Sequence, residues 1–198
     1  MFTPFQTIYA FFDYYGFTGA IETLKQVIKA ADSEKPWKYD SPSDAVYFSE
    51  KMNELVEAVY DLSERSDDGQ HVVLEEEVDY WSLGNCSSFC NSHNVDSAWD
   101  YFPRHLSKKE FLNPYKAVVK FTRFRTIGQW KDVIREFTIY ALSANRIEEL
   151  EDSKTLLQTC NHLYKLIEAA HLIHVRIESK AGKGYNKMQA EQMAGSVV

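Results

Sequence analysis

From Ser43 to Arg65 the apolar residues Phe48, Met52, Leu55, Val59 and Leu62 advance by fours and threes. The acidic residues Glu50, Glu54, Glu57, Asp61 and Glu64 keep the same rhythm two positions later. Two positions amount to roughly 200° around a helix axis, so the two stripes lie on opposite sides of one rod. A strand repeats every second residue and would scatter both sets over both of its faces. One side of this rod must therefore be buried against other elements, and the other is a continuous acidic ridge. A chain built around such a rod needs further apolar helical faces to cover it.

The remaining sequence supplies them. Thr3-Pro4 is a capping residue followed by a proline suited to the first helical position, and Phe5, Ile8, Phe12 and Tyr15 recur at helical spacing until Gly16. A second helix is expected from Thr18 to Ala31, then a connector carrying Pro36 and Pro42. Ser43 is the expected cap of the helix that follows. Ser107 to Glu110 has the form of a capping box, and Pro114 starts a helix that reaches Phe124 or Arg125. Ile127 to Ala144 carries Trp130, Ile134, Phe137 and Ala141 on one side. The last helix runs from Ser153 to Ser179 with Leu156, Cys160, Leu163, Ile167, Ala170, His174 and Ile177 as its stripe. Between these helices, 71–81 suits a short strand or another helix, 84–94 a loop, and 95–102 a helical turn before Pro103. The expected fold is all-α: a bundle-like single domain of about six helices over residues 1–179, with at most a minor β element. Residues 180–198 are expected to form a flexible tail.

Totals narrow the function classes. The net charge of −7 disfavours whole-molecule attraction to nucleic acid or anionic lipid. No uninterrupted apolar run is long enough for a membrane span. Three cysteines are too few, and odd in number, for a disulfide framework, which points to reduced thiols in the cytoplasm. Neither a Gly-x-Ser-x-Gly turn nor a phosphate-cradling glycine loop occurs.

Charge is nonetheless sorted along the chain. From Glu50 to Asp79 there are eleven acidic residues against two basic, and from Arg104 to Arg135 nine basic against two acidic. The basic stretch interleaves Lys116, Lys120 and Arg123 with Tyr115, Phe121 and Phe124, a mixture that suits single-stranded nucleic acid or a phosphorylated ligand. Several of those aromatics are also needed by the helix's inner face, and the acidic ridge can meet the basic stretch within the molecule. The N-terminal segment packs eight aromatics into residues 2–17. With Phe5, Phe12 and Tyr15 on one side, Tyr9, Phe11 and Tyr14 are expected to point elsewhere, toward a second packing surface on another subunit or protein or, as the alternative, on another part of the chain.

Two constellations carry possible metal chemistry. Cys86, Cys90 and His93, with His105 downstream, offer zinc its preferred donors, although their spacing matches no standard finger or ribbon. Glu168 and His171 form one Glu-x-x-His step, followed by His174. A di-iron bundle needs that motif twice, so a core histidine at 174 and a local Glu168–His171 pair are expected instead. The leading expectation is a cytoplasmic helical protein acting through protein contacts or self-association, without catalysis. The alternatives are a metal protein using Cys86, Cys90 and His93, and a nucleic-acid or phosphate binder using residues 108–125.

Overall fold

The computed structural model describes residues 3–64, 89–90, 99–145, 147 and 152–195, with side chains through residue 178 and Trp99 as backbone only. The expected elements 71–81 and 84–94 lie outside the described residues, apart from residues 89 and 90. Six α-helices are described: α1 (Pro4–Ala31), α2 (Pro42–Glu64), α3 (Lys108–Leu112), α4 (Tyr115–Phe124), α5 (Ile127–Leu142) and α6 (Ser153–Gly195). A 3-10 turn at Trp99–Tyr101 precedes α3. No strand occurs among the described residues, and the chain is an all-α, multi-helix domain.

Helix starts follow local chemistry. Thr3 and Gln6 form a reciprocal capping box before Pro4, and Thr126 and Gln129 do the same for α5. The start of α2 corrects the sequence expectation. Pro42 takes the first helical position, so Ser41, not Ser43, is the cap. Its Oγ accepts from the Ser43 amide at 3.3 Å, and Asp44 Oδ2 accepts from the Ser41 amide at 3.0 Å. Asp152 opens α6 by accepting from the amides of Lys154 and Thr155, both at 3.0 Å. The helical backbone of α6 continues to Gly195, past the point near Ser179 where its apolar stripe runs out.

Gly16 divides α1 into two helical segments. Its φ of 63° and ψ of 170° lie where only glycine is comfortable, so the helix kinks at the position where the sequence had ended it. α1 then serves as the central element, packed against α2, α5 and α6, while α4 joins α2 to α6. This explains a second correction. Phe11 is 2% exposed and lies in the core, 5.2 Å from the Phe12 ring and 6.5 Å from Phe48. A helix with neighbours on three sides buries aromatics that a one-sided helix would leave outside.

At the other end of the core, Trp130 is fully buried. Its ring stacks on Phe121 at 4.1 Å, and its indole N–H donates to the Phe121 carbonyl at 3.2 Å. The Trp37 amide donates to the Ala141 carbonyl at 2.7 Å, which pins the α1–α2 connector to α5.

Candidate functional site

On α6, Glu168, Leu172 and Arg176 repeat every four residues, with His171 and Val175 beside them. All five are buried; α6 packs against α3, and the His171 ring lies 6.1 Å from Tyr101 of the 3-10 turn. Buried polar groups must find partners, and those partners lie some sixty residues or more away in sequence. Glu168 Oε1 accepts from the Arg104 amide at 2.8 Å and from His105 Nδ1–H at 2.7 Å. Its Oε2 accepts from the His105 amide at 2.9 Å and the Leu106 amide at 3.0 Å. One carboxylate thus fixes three successive backbone amides. The His105 ring stacks on Tyr164 at 4.4 Å. Arg176 donates to the carbonyls of Phe111 and Leu112 at 2.7 and 3.4 Å, at the end of α3 where helical carbonyls lack internal partners.

Glu110 is a second buried hub. The expected capping box with Ser107 is present, and Glu110 also accepts from Lys120 Nζ at 2.7 Å and Lys165 Nζ at 2.9 Å. Burial alone would raise its pKa. The hydrogen bonds from Lys120, Ser107 and Lys165 outweigh that and hold it at about 2.

His171 differs from these. Its Nε2 lies 2.9 Å from the Phe89 carbonyl oxygen, and a carbonyl only accepts, so Nε2 carries the hydrogen. Burial pushes its pKa down to about 4, so the ring is neutral at pH 7 and Nδ1 is a bare acceptor. That Nδ1 has no hydrogen-bond partner among the described residues. An unsatisfied buried acceptor costs about 1–3 kcal/mol. Phe17 stacks on the ring at 4.3 Å, and Phe12 meets it edge-on at 5.3 Å. The expected Glu168–His171 pair does not form, since each has a distant backbone partner. His174, expected inside the core, stands at its edge with Nε2 3.6 Å from Glu178.

Two hollows meet at Phe17. One, of about 360 Å³, runs between α1 and the 100–105 segment, with Glu22, Asp100, Arg104, His105 and Glu168 along it beside Phe17, Ile21 and Phe102. The other, of about 340 Å³, opens at the Gly16 kink against His171 and His174.

The residues singled out from sequence are distributed as follows. Cys86 and His93 lie outside the described residues. Cys90 is 2% exposed in an apolar cluster with Phe89, Phe111, Leu112 and Leu172, whereas His105 is engaged by Glu168. Among the described residues no three His, Cys, Asp or Glu side chains converge on a possible metal position. In the basic stretch Lys116 and Arg123 are exposed, while Lys120 is tied to Glu110. Phe121 belongs to the core, and Phe124 stacks on His162 at 4.3 Å, so these aromatic platforms are used internally. The acidic ridge of α2 is exposed along its length. It meets the basic stretch through a Lys131–Glu57 ion pair, and Tyr60 donates to the Thr122 and Arg125 carbonyls nearby. Tyr9 and Tyr14 reach solvent at 50% and 64% exposure. Tyr14 stands 5.1 Å from Tyr47, one helical turn before Glu50.

Sequence reasoning missed Arg176 and the buried role of Glu110. Arg176 had a legible signal: it is the one charged residue between Ala169 and Ile177, and a charge inside an apolar run requires a buried partner. No helix among the described residues is long and apolar enough to cross a membrane. No protein-family model, no curated protein and no solved structure matches the chain.

Proposed function

We propose that this is a cytosolic helical protein that works by binding another protein, and that the face shared by α1 and α2 receives a basic segment of that partner. One observation carries it: Tyr14 is 64% exposed and leans on Tyr47 at the head of the acidic ridge. Tyr47, Glu50 and Glu54 follow one another along a single face of α2. Within the chain, Glu54 is engaged by Lys51 and Glu57 by Lys131. Glu50, Asp61 and Glu64 have no ion pair among the described residues. Tyrosine beside uncompensated carboxylate suits arginine or lysine, which pairs with the carboxylate and lies over the ring. Lys51, 5.4 Å from the centre of the Tyr47 ring, is an internal example of that contact.

The test is the anisotropy of a labelled Arg- and Lys-rich peptide titrated with the full chain. Binding should weaken steeply with salt and disappear in a Glu50→Lys, Asp61→Lys double variant. Tyr14→Ala should weaken it roughly five-fold, the loss of about 1 kcal/mol. Unchanged affinity in Tyr14→Ala, or equal binding of a Glu-rich peptide, overturns the proposal. Light scattering that shows a salt-sensitive dimer would assign the face instead to a second copy, with Lys116 and Arg123 as the opposing charges.

A further inference from the structure

We propose that His105 and Glu168 form a general-base dyad, and that the hollow between α1 and the 100–105 segment is a site where water hydrolyses a small, uncharged carboxylic ester. This activity rests on neither the α1–α2 face nor a protein partner.

The dyad is built outward from its buried member. Glu168 is 2% exposed and accepts from the amides of Arg104, His105 and Leu106. The same carboxylate accepts from the His105 ring at 2.7 Å, so Nδ1 carries the hydrogen. In the neutral ring the lone pair then sits on Nε2, the nitrogen a general base needs. The ring is also held in place. Its own backbone amide is bound by Glu168 at 2.9 Å, and one face stacks on Tyr164 at 4.4 Å and 6°. A carboxylate behind an imidazole sets its tautomer and stabilises the imidazolium formed on proton uptake. Glu168 is thus a positioning residue, and His105 is the group that receives the proton.

Nε2 is reachable. With Nδ1 and one face taken, the His105 side chain is still 34% exposed. Among the described residues no hydrogen bond reaches Nε2, and it is not one of the buried polar atoms left unpaired, so it meets solvent. His171 offers no such access, because its bare nitrogen is buried. His105 lines the hollow of about 360 Å³, a volume at the lower end for small-molecule sites. Entry is open: Thr18, Glu22, Asp100 and Arg104 of the lining are exposed. Phe17, Ile21 and Phe102 offer apolar contact to the carbon frame of an ester. Glu22 and Asp100 against one Arg104 disfavour an anionic substrate.

The step balances within the site. Water gives a proton to Nε2 as its oxygen bonds to the carbonyl carbon. The carbon–oxygen bond to the alcohol then breaks, and the departing alkoxide takes the proton back from Nε2. Acid and alcohol leave, and His105 is neutral again.

The full chain is assayed with p-nitrophenyl acetate in mildly alkaline buffer. Nitrophenolate release should saturate with substrate, which scattered surface imidazoles would not produce. Heavy water should slow it, since the attacking water loses a proton. His105→Gln keeps a donor for Glu168 and removes the base, so the rate should fall roughly a hundred-fold, the low end for a positioned base. His174→Gln, on the other hollow, should leave the rate unchanged. If His105→Gln does not fold, histidine ¹⁵N NMR of the natural chain decides. His105 should show a protonated Nδ1 and a bare Nε2, the reverse of the tautomer free histidine favours. A rate that never saturates, ignores heavy water, survives His105→Gln or is lost in His174→Gln overturns the proposal, as does an Nε2-protonated His105.

Discussion

Toward α1 and α4, α6 presents Leu163, Leu166, Ile167, Ala170 and Ile173, each no more than 1% exposed and all in one apolar cluster. Toward Phe89 and residues 104–112 it presents Glu168, His171 and Arg176, buried to a similar degree but polar. The first side is held by non-directional burial, in which any apolar side chain of similar volume serves. The second is held by hydrogen bonds whose partners must be in place together, so removing one member strands the others. The difference matters because both hollows open on the second side. A scaffold that tolerates substitution thus carries a surface that does not.

The largest expected effect sets the two sides against each other. Glu168→Ala leaves the amides of Arg104, His105 and Leu106 unpaired and should cost about 3–5 kcal/mol in urea unfolding. Trp130→Ala should cost a similar amount, about 3–5 kcal/mol, by opening a cavity. Hydrogen exchange separates them. Glu168→Ala should expose residues 104–112 first, whereas Trp130→Ala should lower protection throughout α1, α2 and α5. Uniform loss in both variants would mean that the two sides unfold as one unit.

Acid should act most strongly on the polar side, where burial holds the His171 pKa down to about 4 and hydrogen bonds hold Glu110 at about 2. The folded pKa of His171, about 4, lies below the ordinary histidine value of 6.5. Its contribution is therefore complete above pH 6.5 and is lost as pH falls through about 4, amounting to about 3 kcal/mol. Glu110, held at about 2 against an ordinary 4.5, adds a further loss between those two values. Unfolding midpoints measured from pH 7 to pH 3 should fall in that order, and His171→Phe should flatten the upper part of the curve. A flat profile in the natural chain would remove the distinction.

Gly16→Ala should cost about 1–3 kcal/mol, since φ 63° and ψ 170° strain any residue with a Cβ. The space beside it is open, so the cost is conformational rather than steric, and differential scanning calorimetry should record it as a lower Tm. The smallest effect belongs to the exposed Lys131–Glu57 pair, 41% and 54% exposed. A double-mutant cycle should give about 0.2–1 kcal/mol, decreasing with salt. A larger coupling would mean that the acidic and basic stretches dock as structure, and not only at one edge.

Legibility followed the same division. The stripes of α2 and α5, the Thr3 and Ser107 caps and the break at Gly16 were all readable, because each depends on residues within one or two turns. The α2 cap lies two residues before Ser43, because a proline suits the first helical position as well as a connector. Phe11 takes the intramolecular alternative and lies in the core, a choice that one helix's pattern leaves open because it does not reveal how many neighbours surround that helix. The Glu-x-x-His step was visible at 168–171, yet its partners were not. Nothing local in 104–106 or at Phe89 marks those backbone groups as the ones that meet Glu168 and His171.

By itself the sequence determined that these segments are helices and which side of each is greasy, since both follow from a 3.6-residue repeat and the chemistry of helix ends. Only the tertiary structure decided that α1 lies at the centre, that Glu110 gathers two lysines, and that His171 keeps a bare nitrogen among aromatic rings. Those outcomes depend on which distant backbone carbonyls and amides come into register. Long-range packing sets that register, and no periodicity encodes it.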